Sequence, residues 1–377
     1  MGEKNKILMV GPAPPQIGGM ETLVGGLLNS DLMKQYDVSL LNISKPGINA
    51  RTQGKEFVGY DSFTKRNVFI TLRSYAYSVS FFFRYVFVLV LKRPQLVHIH
   101  TASYFSFWEK GGYIILTKVL GKKIVLHSHG GMFADFYEKS SSANKRWIVR
   151  LLQACDRVVV LSESWKTFFM RLIPEQNIRV IPNGIDLSQF DIQEKKRSDD
   201  PVFLYMAKVS EKKGIYDLIR AARLLLDRGL NCRFLVAGSG EIEQAKRMAK
   251  KLQVDGAVQF LGLKTGREKA ALFATAWCFV LPSYFEGFPI SILEAYAAGL
   301  PVISTRVGAI PSILKQDENG CLFAPGNVEE LADCIFRIAT DSDWRKAMSE
   351  TNAELARKEF SIELCSEKMG RVYAELL

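Results

Sequence analysis

The sequence predicts an α/β protein built as two doubly wound parallel-sheet domains in tandem. Three observations predict it. Short apolar runs rich in β-branched residues recur, each followed by a helix-length segment. The pattern is interrupted once by a polar, charged stretch and then restarts. The 377 residues, 48% hydrophobic and 24% charged, suit two or three soluble globular domains.

In the first series the strands are KILMVG (6–11), YDVSLLNI (36–43), LVHIH (96–100), KIVLHSHG (123–130), RVVVLS (157–162) and IRVIPNG (178–184). Their near-continuous apolar character is that of strands covered on both faces. DIQEKKRSDD (191–200) separates them from PVFLYMAKV (201–209), CRFLVAG (232–238), VQFLG (258–262), CFVLPS (278–283) and PVIST (301–305). The domain boundary is therefore expected within 187–200, with a first domain over 1–187 and a second over 188–360. No internal repeat and no low-complexity tract is visible.

RSYAYSVSFFFRYVFVLVLKR (73–93) holds an apolar stretch about 17 residues long, interrupted by Arg84. A membrane span needs about 20, and a central Arg costs about 2.5–3.5 kcal/mol on the insertion scale, which argues against a crossing. Two readings stay open. One is a buried helix leading into LVHIH; the other is a helix whose Phe and Tyr face rests on a membrane while Arg73, Arg84, Lys92 and Arg93 meet lipid phosphates.

Charge is uneven. Residues 1–187 hold 24 Lys+Arg against 13 Asp+Glu, and residues 188–377 hold 26 against 26. All of the net +11 lies in the first half, which suggests an anionic partner there. A nucleic-acid role would need aromatic stacking platforms or a known module, and none is found. The six cysteines, Cys155, Cys232, Cys278, Cys321, Cys334 and Cys365, show no CxxC spacing and read as reduced residues of a cytoplasmic protein. MGEKNKILMV has no apolar h-region of a secretory signal, so nothing marks export.

The richest stretch is EGFPISILEAYAAG (286–299). It follows a strand, and Pro289 sits where a helix would begin, since its missing donor is no loss in the first turn. The N–H groups of Ile290, Ser291 and Ile292 would then face a phosphate at a positive dipole end. Glu286 stays on the loop and Glu294 falls about five residues into the helix. A glycosidase-like acid/base pair usually comes from separate elements at a set distance, so the two carboxylates read instead as acceptors of sugar hydroxyls. Solvated helix charges remain the plain alternative.

KVSEKKG (208–214) carries Lys208, Lys212 and Lys213 to the carboxyl edge of the second sheet, where open α/β sheets bind ligands. Lysines there can neutralise a departing diphosphate, and losing one such charge costs about 10² to 10³ in rate. GPAPPQIGGME (11–21) also follows a first strand, and Gly18 and Gly19 would allow close approach to a phosphate. It is neither G-x-G-x-x-G nor Walker A, and AGSGEIE (237–243) supplies only two glycines of a dinucleotide fingerprint. His98, His100, His127 and His129 alternate on two strand ends and could share a face, so a four-histidine zinc site is conceivable, but no nearby carboxylate pattern favours it. His129, before Gly130 and Gly131, is better placed as a ligand-facing neutral imidazole or proton carrier.

In order along the chain, Gly18-Gly19, His129-Gly130, Asn183-Gly184-Ile185-Asp186, Lys213-Gly214, Gly238-x-Gly240, Phe260-Leu261-Gly262 and Glu286-Gly287-Phe288-Pro289 to Glu294 carry a resemblance over nearly the whole length. The chain resembles the GT-B-fold retaining glycosyltransferases of family 4, whose E-x7-E motif matches Glu286 to Glu294. The resemblance implies two Rossmann-like domains with an interdomain cleft and a last helix, 361–377, crossing back to the first domain. It implies an N-terminal acceptor domain and a C-terminal donor domain.

The same resemblance implies roles for individual residues. Glu294 would accept from the nucleotide ribose, Lys213 would contact the diphosphate and Glu286 would hold donor-sugar hydroxyls. Gly287, Phe288, Pro289 and Ile290 would offer backbone groups to sugar and diphosphate, Gly18 and Gly19 would close on them, His129 would face the sugar, and Leu263 would lie near the base. The catalytic group is thus Glu286, His129 and Lys213. Lys208 stands where the family usually has Arg, so a bidentate fork becomes a point charge. The expected activity is transfer from a nucleotide-diphosphate sugar, a UDP-sugar first, to a lipid-linked or glycan acceptor in cell-surface polysaccharide biosynthesis. No cofactor and no metal is expected, and the basic first domain would sit peripherally on the anionic inner face of the membrane. A non-catalytic nucleotide-sugar or glycan binding protein, an epimerase or a phosphorylase of the same fold are the alternatives.

Overall fold

The computed structural model describes residues 4–16, 18–45, 68–190 and 200–377, without the side chains of 68–74. The stretch 191–199, with most of the expected domain boundary, and the Arg73 side chain lie outside the described residues.

The chain forms two compact units. The first holds β1 (Lys6–Gly11), α1 (Gly19–Leu28), α2 (Leu32–Gln35), β2 (Asp37–Asn42), α3 (Val68–Lys92), β3 (Leu96–Thr101), α4 (Phe105–Val119), β4 (Lys123–Ser128), α5 (Phe133–Glu138), α6 (Ser142–Ala154), β5 (Arg157–Val160), α7 (Glu163–Phe169) and β6 (Ile178–Val180). The second, Ile185–Ser361, holds β7 (Val202–Met206), α8 (Ile215–Asp227), β8 (Arg233–Ala237), α9 (Ile242–Lys251), β9 (Val258–Gly262), α10 (Gly266–Thr275), β10 (Cys278–Leu281), α11 (Ile290–Ala297), β11 (Val302–Thr305), α12 (Ile310–Ile313), β12 (Gly320–Phe323), α13 (Val328–Thr340) and α14 (Ser342–Glu359). The last helix, α15 (Ile362–Ala374), belongs to the first unit.

Each unit carries a six-stranded parallel sheet, ordered β2-β1-β3-β4-β5-β6 in the first and β12-β11-β10-β7-β8-β9 in the second. This is the expected doubly wound α/β architecture. β3 and β10 are buried along their whole length because helices cover both faces. β12, the short GCLF, is a strand that periodicity did not mark; it pairs with β11 after a turn at Asp317, whose φ is +64°. Strand order reverses at β1/β3 and at β7/β10, and these are the points where loops leave in opposite directions and open a crevice.

α3 buries one face in the first unit and exposes the other. Phe81, Tyr85 and Leu89, one turn apart, are buried in the core of the first unit, with Tyr85 stacked on Tyr113 of α4 at 4.6 Å. Val79, Phe83, Phe87, Val90 and Leu91 are exposed, Phe83 at 68%. By length and composition α3 is apolar enough to cross a membrane, and 17% of that window, Tyr75–Lys92, is buried in the unit.

Candidate active site

The β7/β10 reversal decides which loops of the second unit meet. The loop after β7 turns through a short 3-10 segment, Glu211–Lys213, and enters α8 at Gly214 with φ +73°. A Cβ on Gly214 would stand 1.9 Å from the Pro282 carbonyl oxygen, so only glycine lets this loop press against the loop after β10. Tyr284 N–H donates to Lys212 O at 2.9 Å and ties the two together.

At that junction Lys213 Nζ lies 2.6 Å from Glu286 Oε1, which also accepts from Ser283 Oγ at 2.7 Å. Lys213 additionally reaches Phe285 O at 3.4 Å. The Glu286 carboxylate is nearly buried, so its charge depends on these donors. Gly308, with φ +55°, packs against the Glu286 carbonyl; a Cβ there would come within 1.9 Å of that oxygen. The loop is also fixed by Thr305, whose hydroxyl donates to Ser283 O at 2.5 Å, and by Ala309 N–H on Gly287 O at 3.1 Å. Glu286, Gly287 and Lys213 are therefore one braced constellation. Tyr284 beside it donates to Asp217 at 2.8 Å; burial, with that carboxylate, pushes the phenol up to about 12.

α11 begins at Ile290, with Pro289 as the residue before its first turn and no side-chain cap. Ile292 N–H donates back to Pro289 O at 3.1 Å, so of the three donors expected to face a phosphate this one is already engaged. The N–H groups of Ile290 and Ser291 lead the helix. Phe288 and Ile290 are buried, and Phe288 packs on Phe360 at 6.1 Å, so their side chains anchor the loop.

Glu294 is buried on α11, and Lys269 of α10 lies 2.6 Å from its Oε1. Burial raises the Glu294 pKa and the Lys269 charge and hydrogen bond oppose that shift. Lys208 is half-buried, and burial lowers its pKa against the pull of Glu241. Leu263 is 53% exposed just past Gly262, which has φ +70°.

The Gly238-x-Gly240 pair has a packing explanation. A Cβ on Gly238 or Gly240 would meet the carbonyl of Ala207 at 1.9 Å or of Val209 at 2.2 Å, and Val209 N–H donates to Ser239 O at 2.9 Å. These glycines let the loops after β7 and β8 pair backbone to backbone. Asp186 accepts from Ser188 N–H at 3.0 Å, Ser188 Oγ at 2.6 Å and Gln189 at 3.1 Å, which closes a turn.

In the first unit Gly18 precedes α1 in extended backbone, φ 175°, which any residue adopts, and Gly19 is the first helical residue. Glu21 folds back over Gly18, and burial raises its pKa. His129 follows β4, half-buried, with Nε2 2.9 Å from His100 Nδ1; burial pushes its pKa down to about 3, so it is neutral at pH 7. Gly130 lets this loop approach the one after β3, where a Cβ would meet Ser103 N at 2.8 Å.

Residues 17–189 match the family described as Glycosyltransferase Family 4, and residues 188–355 match Glycosyl transferases group 1. The chain belongs to the family 4 glycosyltransferases of the GT-B fold. An uncharacterised family member of Methanocaldococcus jannaschii is 30% identical over 259 residues, 65% of either chain. The GDP-mannose:cellobiosyl-diphosphopolyprenol alpha-mannosyltransferase of Xanthomonas campestris is 27% identical over 71% of either chain. The Anabaena protein HepE, solved in complex with UDP-glucose, superposes with a TM-score of 0.73 at 18% identity, over 98% of this chain and 99% of that one, a likeness of fold. Matched segments span 65%, 58% and 52% of the length of the first curated relatives.

Within this family 4 chain, sequence reasoning reached Glu286, Glu294 and Lys213 but missed Ser283, Lys269 and Thr305. Ser283 and Thr305 lie at strand ends with no pattern of their own. Lys269 is one of several charges on α10, and only the rotation of that helix against α11 selects it.

Proposed function

We propose that the protein is a retaining glycosyltransferase that moves a sugar from a nucleotide-diphosphate sugar, a UDP-sugar first, to a lipid-linked or glycan acceptor in cell-surface polysaccharide biosynthesis. The observation that carries this reading is the Lys213–Glu286–Ser283 constellation at the β7/β10 reversal, followed by the uncapped start of α11 and the buried Glu294. Anions bind at helix N-termini, and ligands of open α/β sheets bind at such reversals. UDP-glucose in HepE and the diphosphopolyprenol acceptor named for the Xanthomonas enzyme support the choice of donor and acceptor class.

In this reading the bond between the anomeric carbon and the diphosphate oxygen breaks, and its electron pair leaves with the diphosphate. Lys213, Lys208 and the N–H groups of Ile290 and Ser291 stabilise that charge, a task that a divalent cation performs elsewhere. The acceptor hydroxyl bonds to the anomeric carbon on the face the diphosphate left, and its proton passes to the departing phosphate. Glu286, with Oε1 held by Lys213 and Ser283, presents Oε2 to the donor sugar. Glu294 accepts from the ribose, and Leu263 flanks the base. Gly18, Gly19 and His129 of the first unit carry the donor-facing roles that the family resemblance assigns.

A thermal-shift panel of UDP-, GDP- and ADP-sugars tests the donor, since a bound ligand stabilises by RT ln(1 + [L]/Kd), about 2.7 kcal/mol at 100 Kd. One donor class raises Tm, and Glu286→Gln abolishes turnover while keeping that shift. Absence of a shift with all three, or unchanged turnover in Glu286→Gln, overturns the proposal. The exposed row of α3 and the basic first half support peripheral membrane attachment of the acceptor side.

A further inference from the structure

On one face of the first sheet, β3 and β4 set four imidazoles side by side. His100 pairs in register with His127, and His98 lies two residues back on β3. The His98 and His100 rings are 4.2 Å apart, and the His127 ring lies 5.4 and 5.2 Å from them. All three side chains are fully buried.

Their hydrogen bonds are divided in a telling way. His98 Nδ1 is 2.6 Å from the Tyr373 hydroxyl on α15, and His100 Nδ1 is 2.9 Å from His129 Nε2. Among the described residues, the opposite nitrogen of each ring, Nε2, has no partner, and neither nitrogen of His127 has one. Leaving a buried polar group unsatisfied is costly, so four such nitrogens in one cluster need an explanation. Metal-ligating histidines show this division, one nitrogen on the metal and the other held by an outer partner that sets tautomer and orientation.

We propose that His98 Nε2, His100 Nε2 and one nitrogen of His127 bind a divalent d-block cation of the zinc type, with Tyr373 and His129 as the outer partners. One ring nitrogen from each of the three lies within 4.8 Å of the others. A triangle of that side has its centre about 2.8 Å from each corner, and a Zn–N bond is about 2.0–2.1 Å, so each nitrogen moves about 0.7 Å on binding. His98 and His127 are stacked and the other two pairs are tilted, and side-chain rotation would bring the three nitrogens together. Imidazole nitrogen suits zinc, copper and nickel and leaves calcium and magnesium without their preferred oxygen ligands. The Tyr373 link would tie α15 to the sheet. The three ligands lie within the first sheet and their binding does not depend on the donor reading, which the site meets only at His129.

The test uses the full chain, stripped with chelator and titrated with Co²⁺ and Zn²⁺. The expected result is one ion per chain, a visible d–d band with Co²⁺, a rise in Tm with Zn²⁺, and X-ray absorption at the zinc edge showing three imidazole nitrogens. Tyr373→Phe weakens binding about 10- to 100-fold, and His127→Gln removes the d–d band. Sub-stoichiometric uptake, or zinc-edge spectra with sulfur or oxygen ligands in place of imidazole, overturns the proposal. So does a band unchanged in His98→Gln, His100→Gln and His127→Gln. The absorption spectrum of the unmodified chain decides the matter even if a buried His→Gln variant does not fold.

Discussion

Lys269→Met separates the two halves of the pair under α11. The substitution keeps an apolar stem near Phe190, whose ring the Lys269 ammonium overlies at 5.7 Å, and removes the charge 2.6 Å from Glu294 Oε1. Both side chains are mostly shielded, at 19% and 8% exposure, so solvent screens the loss poorly. Glu294 then either stays ionised and unpaired, which costs about 3–5 kcal/mol of stability, or takes a proton. Burial already raises its pKa and Lys269 opposes the shift, so removing Lys269 raises it further. A neutral carboxyl forfeits the charge-assisted bond to a ribose hydroxyl proposed for it, worth about 1.5–3 kcal/mol, and donor affinity then falls about 10- to 100-fold.

The sign with pH follows. A carboxyl whose folded pKa is above its unfolded value binds its proton more tightly when folded, so the variant gains stability as pH falls through the raised value and loses it as pH rises. Donor affinity runs the other way and recovers with rising pH as Glu294 ionises. Titration calorimetry with the donor found in the thermal-shift panel, from pH 5.5 to 8.5, reads the affinity, and urea midpoints read the stability. Wild-type affinity with no pH slope, in a variant that remains folded, would refute the reasoning.

Glu109 on α4 is buried against Lys110, 2.5 Å away, with Lys45 at 3.1 Å; burial raises its pKa, but the two lysines and Ser78 outweigh that and bring it to about 2. The depressed value contributes about 3 kcal/mol of stability above pH 4.5, lost as pH falls toward 2; the urea-midpoint difference between wild type and Glu109→Gln should shrink between pH 6 and 3.5, and a flat difference would count against the pairing. Gly308→Ala forces a left-handed residue and a 1.9 Å approach to the Glu286 carbonyl, and is expected to cost about 1–3 kcal/mol and most of the turnover. Gly256→Ala, with nothing within 4 Å, is the control and should leave Tm and turnover unchanged. Replacing both Phe83 and Phe87 by Ser should weaken co-sedimentation with anionic vesicles at least about tenfold without lowering Tm, whereas equal, salt-insensitive binding to anionic and neutral vesicles would remove the membrane reading.

Most strands could be read one by one because a strand covered on both faces must be apolar at successive positions, and LVHIH, KIVLHS and CFVL are. GCLF escaped because four residues after a turn carry too little periodicity to stand out. The paired motif from Glu286 to Glu294 and the Lys213 loop, each legible after a strand of the second series, come together in the structure as the candidate site. The histidines show the limit most clearly. Alternation put them on one face, but only the structure shows the unpartnered nitrogens and the Tyr373 contact.

The sequence by itself determined the alternation of strand and helix, the two series, the uneven charge and the family motifs. These are local properties, written in the apolar period and in residue types at short spacing. The tertiary structure alone decided that Lys213 and Ser283 share one oxygen of Glu286, that Lys269 holds Glu294, and that α15 brings Tyr373 onto His98. Those pairings span up to 275 residues and depend on strand order and helix rotation, which nearest-neighbour chemistry does not encode.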